Sequence, residues 1–173
     1  LEEEEPPTVA TPAPFDANAA LEELFMAPEA LDEIMRQLRR KKNLVLQGPP
    51  GVGKTFAARR LAYLMLGEKD DTRIETVQFH PSTSYEDFVL GLRPDGKGGF
   101  VLKPGVFHRF CRKARNDAQG RPHVFIIDEI NRGNLAKIFG ELLMLVEPDK
   151  RGSEHAVSLT YEDETAPRFF LPH

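Results

Sequence analysis

An α/β fold built around a parallel sheet is what the sequence predicts, on three observations. Short apolar, strand-like runs alternate along the chain with segments of helical period. One run, NLVLQ at residues 43–47, leads straight into Gly48-Pro49-Pro50-Gly51-Val52-Gly53-Lys54-Thr55, which spells G-x-x-x-x-G-K-[ST], and then into the helix-like stretch 56–62. Another, His123-Val124-Phe125-Ile126-Ile127, is continuously apolar, as a strand covered on both faces must be, and it stops at Asp128-Glu129. Parallel sheets of this kind collect ligands at the carboxyl ends of their strands.

The spelling of the glycine-rich segment follows from phosphate chemistry. Gly48, Gly51 and Gly53 let successive backbone N–H groups turn inward around an anion, and the loop opens a helix whose N-terminus favours negative charge. Lys54 can reach the outer phosphates, and Thr55 carries a hydroxyl suited to Mg²⁺, which keeps most of its waters and takes few protein ligands. A Gly/Pro turn that merely contains Lys-Thr is the competing reading. The flanking strand and helix signals argue against it, so Pro49, Pro50, Val52 and Phe56 join the candidate nucleotide-contacting residues.

The remaining elements follow in chain order. Residues 1–18 hold Glu2, Glu3, Glu4, Glu5, Pro6, Pro7, Pro12 and Pro14, a composition that buries little, and read as an acidic Pro-rich linker ahead of a domain at 19–173. Residues 19–42 are helical in pattern, with Leu31, Ile34, Met35 and Leu38 on one face, and the cations of residues 39–42 suit a helix C-terminus better than a nucleic-acid patch. Residues 75–80 resemble a second strand, and Ser84 with Asp87 forms a capping box that opens a short helix. Glycines and prolines bracketing 91–105 predict a β-hairpin. Val106, Phe107, Phe110, Cys111 and Ala114 give the inner face of a further helix, whose outer face carries Arg109, Arg112, Lys113 and Arg115 as either an interaction surface or a solvated side. An amphipathic helix over 135–146 ends before Pro148, and 157–161 and 168–171 are short β-like pieces.

Composition narrows the chemistry. The 173 residues suit one domain with a substantial core at 40% hydrophobic and 29% charged content, and a formal net charge of −4 offers no overall electrostatic case for nucleic acid, leaving DNA contact local or supplied elsewhere. The single cysteine cannot close an intramolecular disulfide, which favours a cytoplasmic setting, and neither a signal peptide nor a membrane span is spelled. The five histidines lack metal-ligand spacing, and no G-x-S-x-G elbow is present. His80 reads more readily as a strand-end residue than as a nucleotide contact.

Two carboxylates where a central strand stops complete the requirement for a Mg-dependent triphosphatase. Asp128 would hold Mg²⁺ together with Thr55, and Glu129 would orient and deprotonate the attacking water. The competing reading, two acids capping the next helix, weakens once the phosphate loop is counted alongside them.

The segments GPPGVGKTFAARRLAYLMLGEK, VQFHPSTSYEDFVLGLRPDGKG and FIIDEINRGNLAKIFGELLMLVEPDKRG resemble the McrB family of AAA+ proteins, the GTP-hydrolysing motor subunits of methylcytosine-dependent restriction systems. Phosphate loops are widespread; the YEDF-x-x-G-x-x-P and DEINR segments are far more discriminating. The resemblance implies a three-layer AAA+ P-loop sandwich, with GTP (or ATP) and Mg²⁺ as cofactors. It further implies a ring, usually hexameric, an McrC-like nuclease partner, and DNA engaged through the complex or a separate N-terminal domain. Carried over, Gly48, Gly51, Gly53 and Lys54 cradle phosphate, Thr55 and Asp128 serve Mg²⁺, and Glu129 is the base. Asn131 and Arg132 of DEINR fall near the γ-phosphate or a subunit interface, and Leu24, Phe25 and Met26 are candidates for the guanine pocket, with core packing an equal reading. The family's sensor-1 strand, arginine finger and helical lid are expected beyond His173, so the isolated chain is expected to bind nucleotide and hydrolyse it poorly. An ATP-using MoxR-like remodelling chaperone and a non-hydrolysing, nucleotide-dependent assembly module are the alternatives. Base preference separates the first from a GTPase; Glu129 argues against the second.

Overall fold

The fold was analysed in a computed structural model that describes residues 11–163 and 165–173. Its organising feature is a parallel pair, β1 (Ile74–Gln78) and β4 (Val124–Asp128), in register from Ile74 opposite Val124 to Gln78 opposite Asp128. Between them the chain runs through α4 (Tyr85–Phe88), the antiparallel hairpin β2 (Leu90–Pro94) and β3 (Phe100–Pro104), and α5 (Val106–Arg115). Before them come α1 (Ala17–Glu23), α2 (Pro28–Lys41) and α3 (Lys54–Leu66), and after them α6 (Leu135–Phe139), continued as a 3₁₀ segment Gly140–Val146. This is the α/β arrangement with a parallel sheet that the alternation predicts.

The core divides into two apolar clusters. Phe15, Ala20, Leu24, Leu31, Met35, Leu61 and Tyr63 pack α1, α2 and α3 together. The other joins α4, α5 and α6 around Phe79, Phe88, Phe107 and Phe139, with Phe125 and Ile127 of β4 packed against it. Phe88 lies at its centre, stacked on Phe107 at 4.9 Å and tilted against Phe139 at 4.8 Å. Aromatic pairs in these geometries contribute about 0.5–1.5 kcal/mol beyond the area they bury.

Several expectations are met and others are corrected. Ser84 and Asp87 form the capping box in both directions, and the hairpin at 91–105 is present. The linker expected over residues 1–18 lies outside the described residues for 1–10, whereas 13–16 belong to the fold. The Phe15 N–H donates to Gly67 O at 2.9 Å, its ring is buried, and Asp16 caps α1. The single helix expected over 19–42 breaks at Leu24, which leaves helical geometry, and resumes at Pro28, favoured at the first helical position. Residues 43–47 form no ladder with another described strand, and Val45 is exposed. Each residue of β4 is half-buried rather than covered on both faces. The β-like pieces at 157–161 and 168–171 reduce to one antiparallel bridge between Val157 and Phe169.

The basic outer face of α5 is largely engaged locally. Arg109 donates to Pro104 O at 2.7 Å, Lys113 donates to Thr72 O, and Arg115 lies over the Phe170 ring. Three of the four cations thus hold neighbouring chain in place. Cys111, on the inner face, is buried, and burial pushes its thiol up to about 12, the behaviour of a packing residue.

Candidate nucleotide-binding site

The site is assembled by two transitions into helical structure brought side by side, one from a loop and one from a strand. The first is the loop 48–53 entering α3. Gly51 and Gly53 have φ of 82° and 80°, which side-chain-bearing residues rarely adopt, and an added Cβ at either would meet only open space. The loop is therefore an open, backbone-lined cradle. No side chain caps the start of α3, so the first-turn amides remain available to an anion. Lys54 folds back over the loop, its Nζ donating to Gly48 O at 2.9 Å and Pro49 O at 2.8 Å. Those two carbonyls hold the ammonium at the rim of the cradle.

The second transition is the end of β4. Thr55 Oγ1 donates to Asp128 Oδ2 at 3.0 Å across 73 residues of sequence. Asp128 Oδ1 accepts from the Glu129 N–H at 2.9 Å, and Phe79 N–H donates to Asp128 O at 2.9 Å, fixing the strand end against β1. One hydroxyl and one carboxylate oxygen thus converge beside the phosphate cradle. A small cation that prefers oxygen donors and retains its waters fits this pair. An exposed glycine cradle, an ammonium, free helix amides and two convergent oxygens fit a magnesium-bound triphosphate. Among the described residues, no group of three or more His, Cys, Asp and Glu side chains could hold a metal ion.

Glu129 follows in a left-handed conformation, φ 51° and ψ 40°, and opens the 3₁₀ turn Ile130–Arg132. Arg132 Nε donates to its Oε2 at 3.1 Å, while Asn131 is exposed. The i, i+3 spacing of these two residues was the available signal for that pair.

The remaining candidates separate. Val52 is exposed at the loop tip, and Phe56 is half-covered by the Arg60 guanidinium 3.6 Å above its ring. Leu24 is core, Met26 packs against the same cluster, and Phe25 is fully exposed, so Phe25 is the one whose ring is free to meet a base. His80 is engaged in its own turn, with Nδ1 2.9 Å from Ser82 Oγ. A contact that motif reading missed is the clamp on Asn43: its Nδ2 donates to Val146 O at 2.8 Å and its Oδ1 accepts from Arg151 at 3.2 Å. It anchors the start of the segment that delivers the phosphate loop. No local sequence signal marks it, because the partners are 103 and 108 residues away.

Comparison with known proteins agrees with this geometry. Over 153 residues, 88% of this chain, the sequence is 53% identical to the type IV methyl-directed restriction enzyme EcoKMcrB subunit of Escherichia coli K12. It is 32% identical over 87 residues, half of this chain, to replication factor C subunit 2 of Arabidopsis thaliana. The chain spans about a third of the length of the first relative and 22% of the second. The family model of the AAA domain, dynein-related subfamily, matches residues 43–170, which contain the phosphate loop, the Asp128-Glu129 strand end and everything between. The chain belongs to the AAA domain family, in its dynein-related subfamily.

Proposed function

We propose that this AAA+ NTPase domain is the GTP-using, magnesium-dependent motor of a modification-dependent DNA restriction complex. In this reading it works in a ring, as a hexamer, with an McrC-like nuclease subunit, and nucleotide turnover drives movement on DNA. The observation that carries the nucleotide chemistry is the 3.0 Å contact between Thr55 and Asp128 beside the Lys54 cradle. The extent of similarity to the E. coli restriction subunit supports the biological setting.

The chain's own groups account for the chemistry. Backbone amides of the loop and of the first turn of α3 bind the phosphate oxygens, and Lys54 exchanges its two carbonyl partners for them. Thr55 and Asp128 would hold Mg²⁺, which when bound neutralises charge on the phosphates. Glu129, one residue beyond the metal-binding acid, orients a water and accepts its proton as the water attacks. Phe25 is positioned in sequence to meet the base, while Asn131 and Arg132 serve the γ-phosphate side or a neighbouring subunit.

Competition of GTP and ATP against a fluorescent nucleotide, with mass measured in solution alongside, tests this directly. The proposal expects GTP to displace the probe at lower concentration than ATP, with nucleotide favouring the oligomer. Tighter ATP binding would move the chain toward the remodelling ATPases.

A further inference from the structure

The two core clusters each carry one half of the site. Leu46, two residues ahead of Gly48, packs with α2 and α3 in one cluster, whereas Phe125 and Ile127 of β4 pack in the other with Leu142, Leu145 and Val146. Residues 43–47 form no ladder with another described strand, so side chains must hold the segment that delivers the phosphate loop. Asn43 spends its whole hydrogen-bonding capacity there. Its Nδ2 donates to Lys41 O at 3.1 Å, at the end of α2, and to Val146 O at 2.8 Å, while its Oδ1 accepts from Arg151 Nη2 at 3.2 Å. Arg151 Nη2 also donates to Val146 O at 3.4 Å. Its Nε is buried with no hydrogen-bond partner among the described residues, and burial pulls the guanidinium below its ordinary range. Neither residue has a part in the proposed hydrolysis.

We propose that Asn43 and Arg151 are positioning residues, whose joint to Val146 sets the phosphate loop at the distance from the β4 strand end that lets Thr55 and Asp128 serve one cation. The proposal rests on the reading of loop and strand end as a single Mg-triphosphate site. Val146 is the fixed point: it closes the 3₁₀ segment whose Leu142 and Leu145 are buried in the cluster that also holds β4. The cradle itself is local backbone of residues 48–53 and the first turn of α3, so loosening the joint leaves its phosphate contacts intact. What changes is the spacing across the site. Metal coordination tolerates little error in that spacing, because Mg²⁺ demands near-ideal geometry from the few protein oxygens it takes. Asn43 is exposed, so the joint has the strength of a modest hydrogen bond rather than of a buried network.

The test is calorimetric titration of the purified protein with a non-hydrolysable GTP analogue, in Mg²⁺ and in chelator, together with backbone-amide NMR of the nucleotide-free protein. Asn43→Ala and Arg151→Ala each weaken binding in Mg²⁺ about three- to ten-fold, the worth of one hydrogen bond, and leave binding in chelator within about twofold of wild type. The double variant binds no more weakly than the worse single, because both changes open the same joint. Arg151→Lys keeps a cationic donor for Asn43 and restores most of the loss. Without nucleotide, the amide signals of Thr55 and of Glu129, whose N–H donates to Asp128 Oδ1, shift in Asn43→Ala, while that of Gly96 in the hairpin stays in place. Equal losses in Mg²⁺ and chelator, additive losses in the double variant, or unmoved Thr55 and Glu129 amides overturn the positioning role and leave the site standing. A wild type that binds the analogue equally in Mg²⁺ and chelator overturns the Mg-triphosphate reading itself, and the positioning role with it.

Discussion

At the scale of single residues, the site depends on groups whose identity a motif announces but whose meeting it does not. Lys54, Thr55, Asp128 and Glu129 stood out as candidates because each sits in a short segment with its own chemical logic. The Thr55–Asp128 hydrogen bond did not, since 73 residues of chain separate the partners and only the packing of α3 against β4 brings them together. Periodicity likewise marked Leu24, Phe25 and Met26 as apolar without saying which faces inward; the helix break at Leu24 decides that. The Thr55–Asp128 pair makes a charge-specific prediction. Asp128→Asn retains an acceptor for Thr55 yet removes the negative charge, so nucleotide affinity measured by calorimetry falls about tenfold or more with Mg²⁺ and stays near wild type with chelator, on the scale of a charge-assisted interaction. Equal losses in both conditions would remove Asp128 from the metal site.

At the scale of elements, the joints between them carry the specificity. Gly105 links β3 to α5, and a Cβ there would run into the Phe88 carbonyl group and the Val89 nitrogen, backbone atoms that cannot move aside. Gly105→Ala is expected to cost about 3 kcal/mol, the upper range for overpacking, read as a lowered denaturation midpoint. Alanine at the exposed Gly96, whose φ of 75° carries strain but whose added Cβ meets nothing, should cost less.

The entry to β1 is pinned by Arg73, 2% exposed, which bonds to Asp70 at 2.7 Å, to Glu68, and to Pro122 O at 3.3 Å just ahead of β4. Burial pushes the Asp70 carboxyl upward, but hydrogen bonds from Thr72 and Arg73 outweigh it and bring it down to about 2. The folded value lies below the unfolded one, so this stabilisation is complete above about pH 4, lost as pH falls toward 2, and worth about 2 kcal/mol. Chemical denaturation at pH 5 and pH 2.5 should show that much less acid sensitivity in Asp70→Asn than in the wild type; identical slopes would contradict it. Nothing in the local pattern of residues 68–73 distinguished this network from a polar turn, because its energetic weight comes from burial.

At the scale of the whole molecule, alternation of apolar strands with helices was enough to read a parallel α/β fold, since that pattern reflects which faces must leave water. Hydrogen-bonded pairing was less legible: the apolar run at 43–47 has strand composition, yet composition does not supply a neighbour, and its anchorage comes from Asn43 meeting Val146 and Arg151. The inner boundary of the N-terminal segment was misread for the converse reason. Phe15 is one aromatic in a proline-rich stretch, and only the three-dimensional cluster of α1, α2 and α3 gives it a place to be buried. Phe15→Ala should therefore lower global stability by about 3–5 kcal/mol in denaturant unfolding, as truncation of a buried aromatic does, whereas a true linker residue would show no change.

The central claim is that the loop at Lys54 and the strand end at Asp128 form one triphosphate site. Isothermal titration of the wild type and Lys54→Ala with Mg-GTP tests it most directly. The account predicts saturable binding by the wild type and, because Lys54 supplies the ammonium held at the cradle, a loss of about 30- to 100-fold in Lys54→Ala with its thermal stability retained. Equal affinity in the two proteins would contradict it.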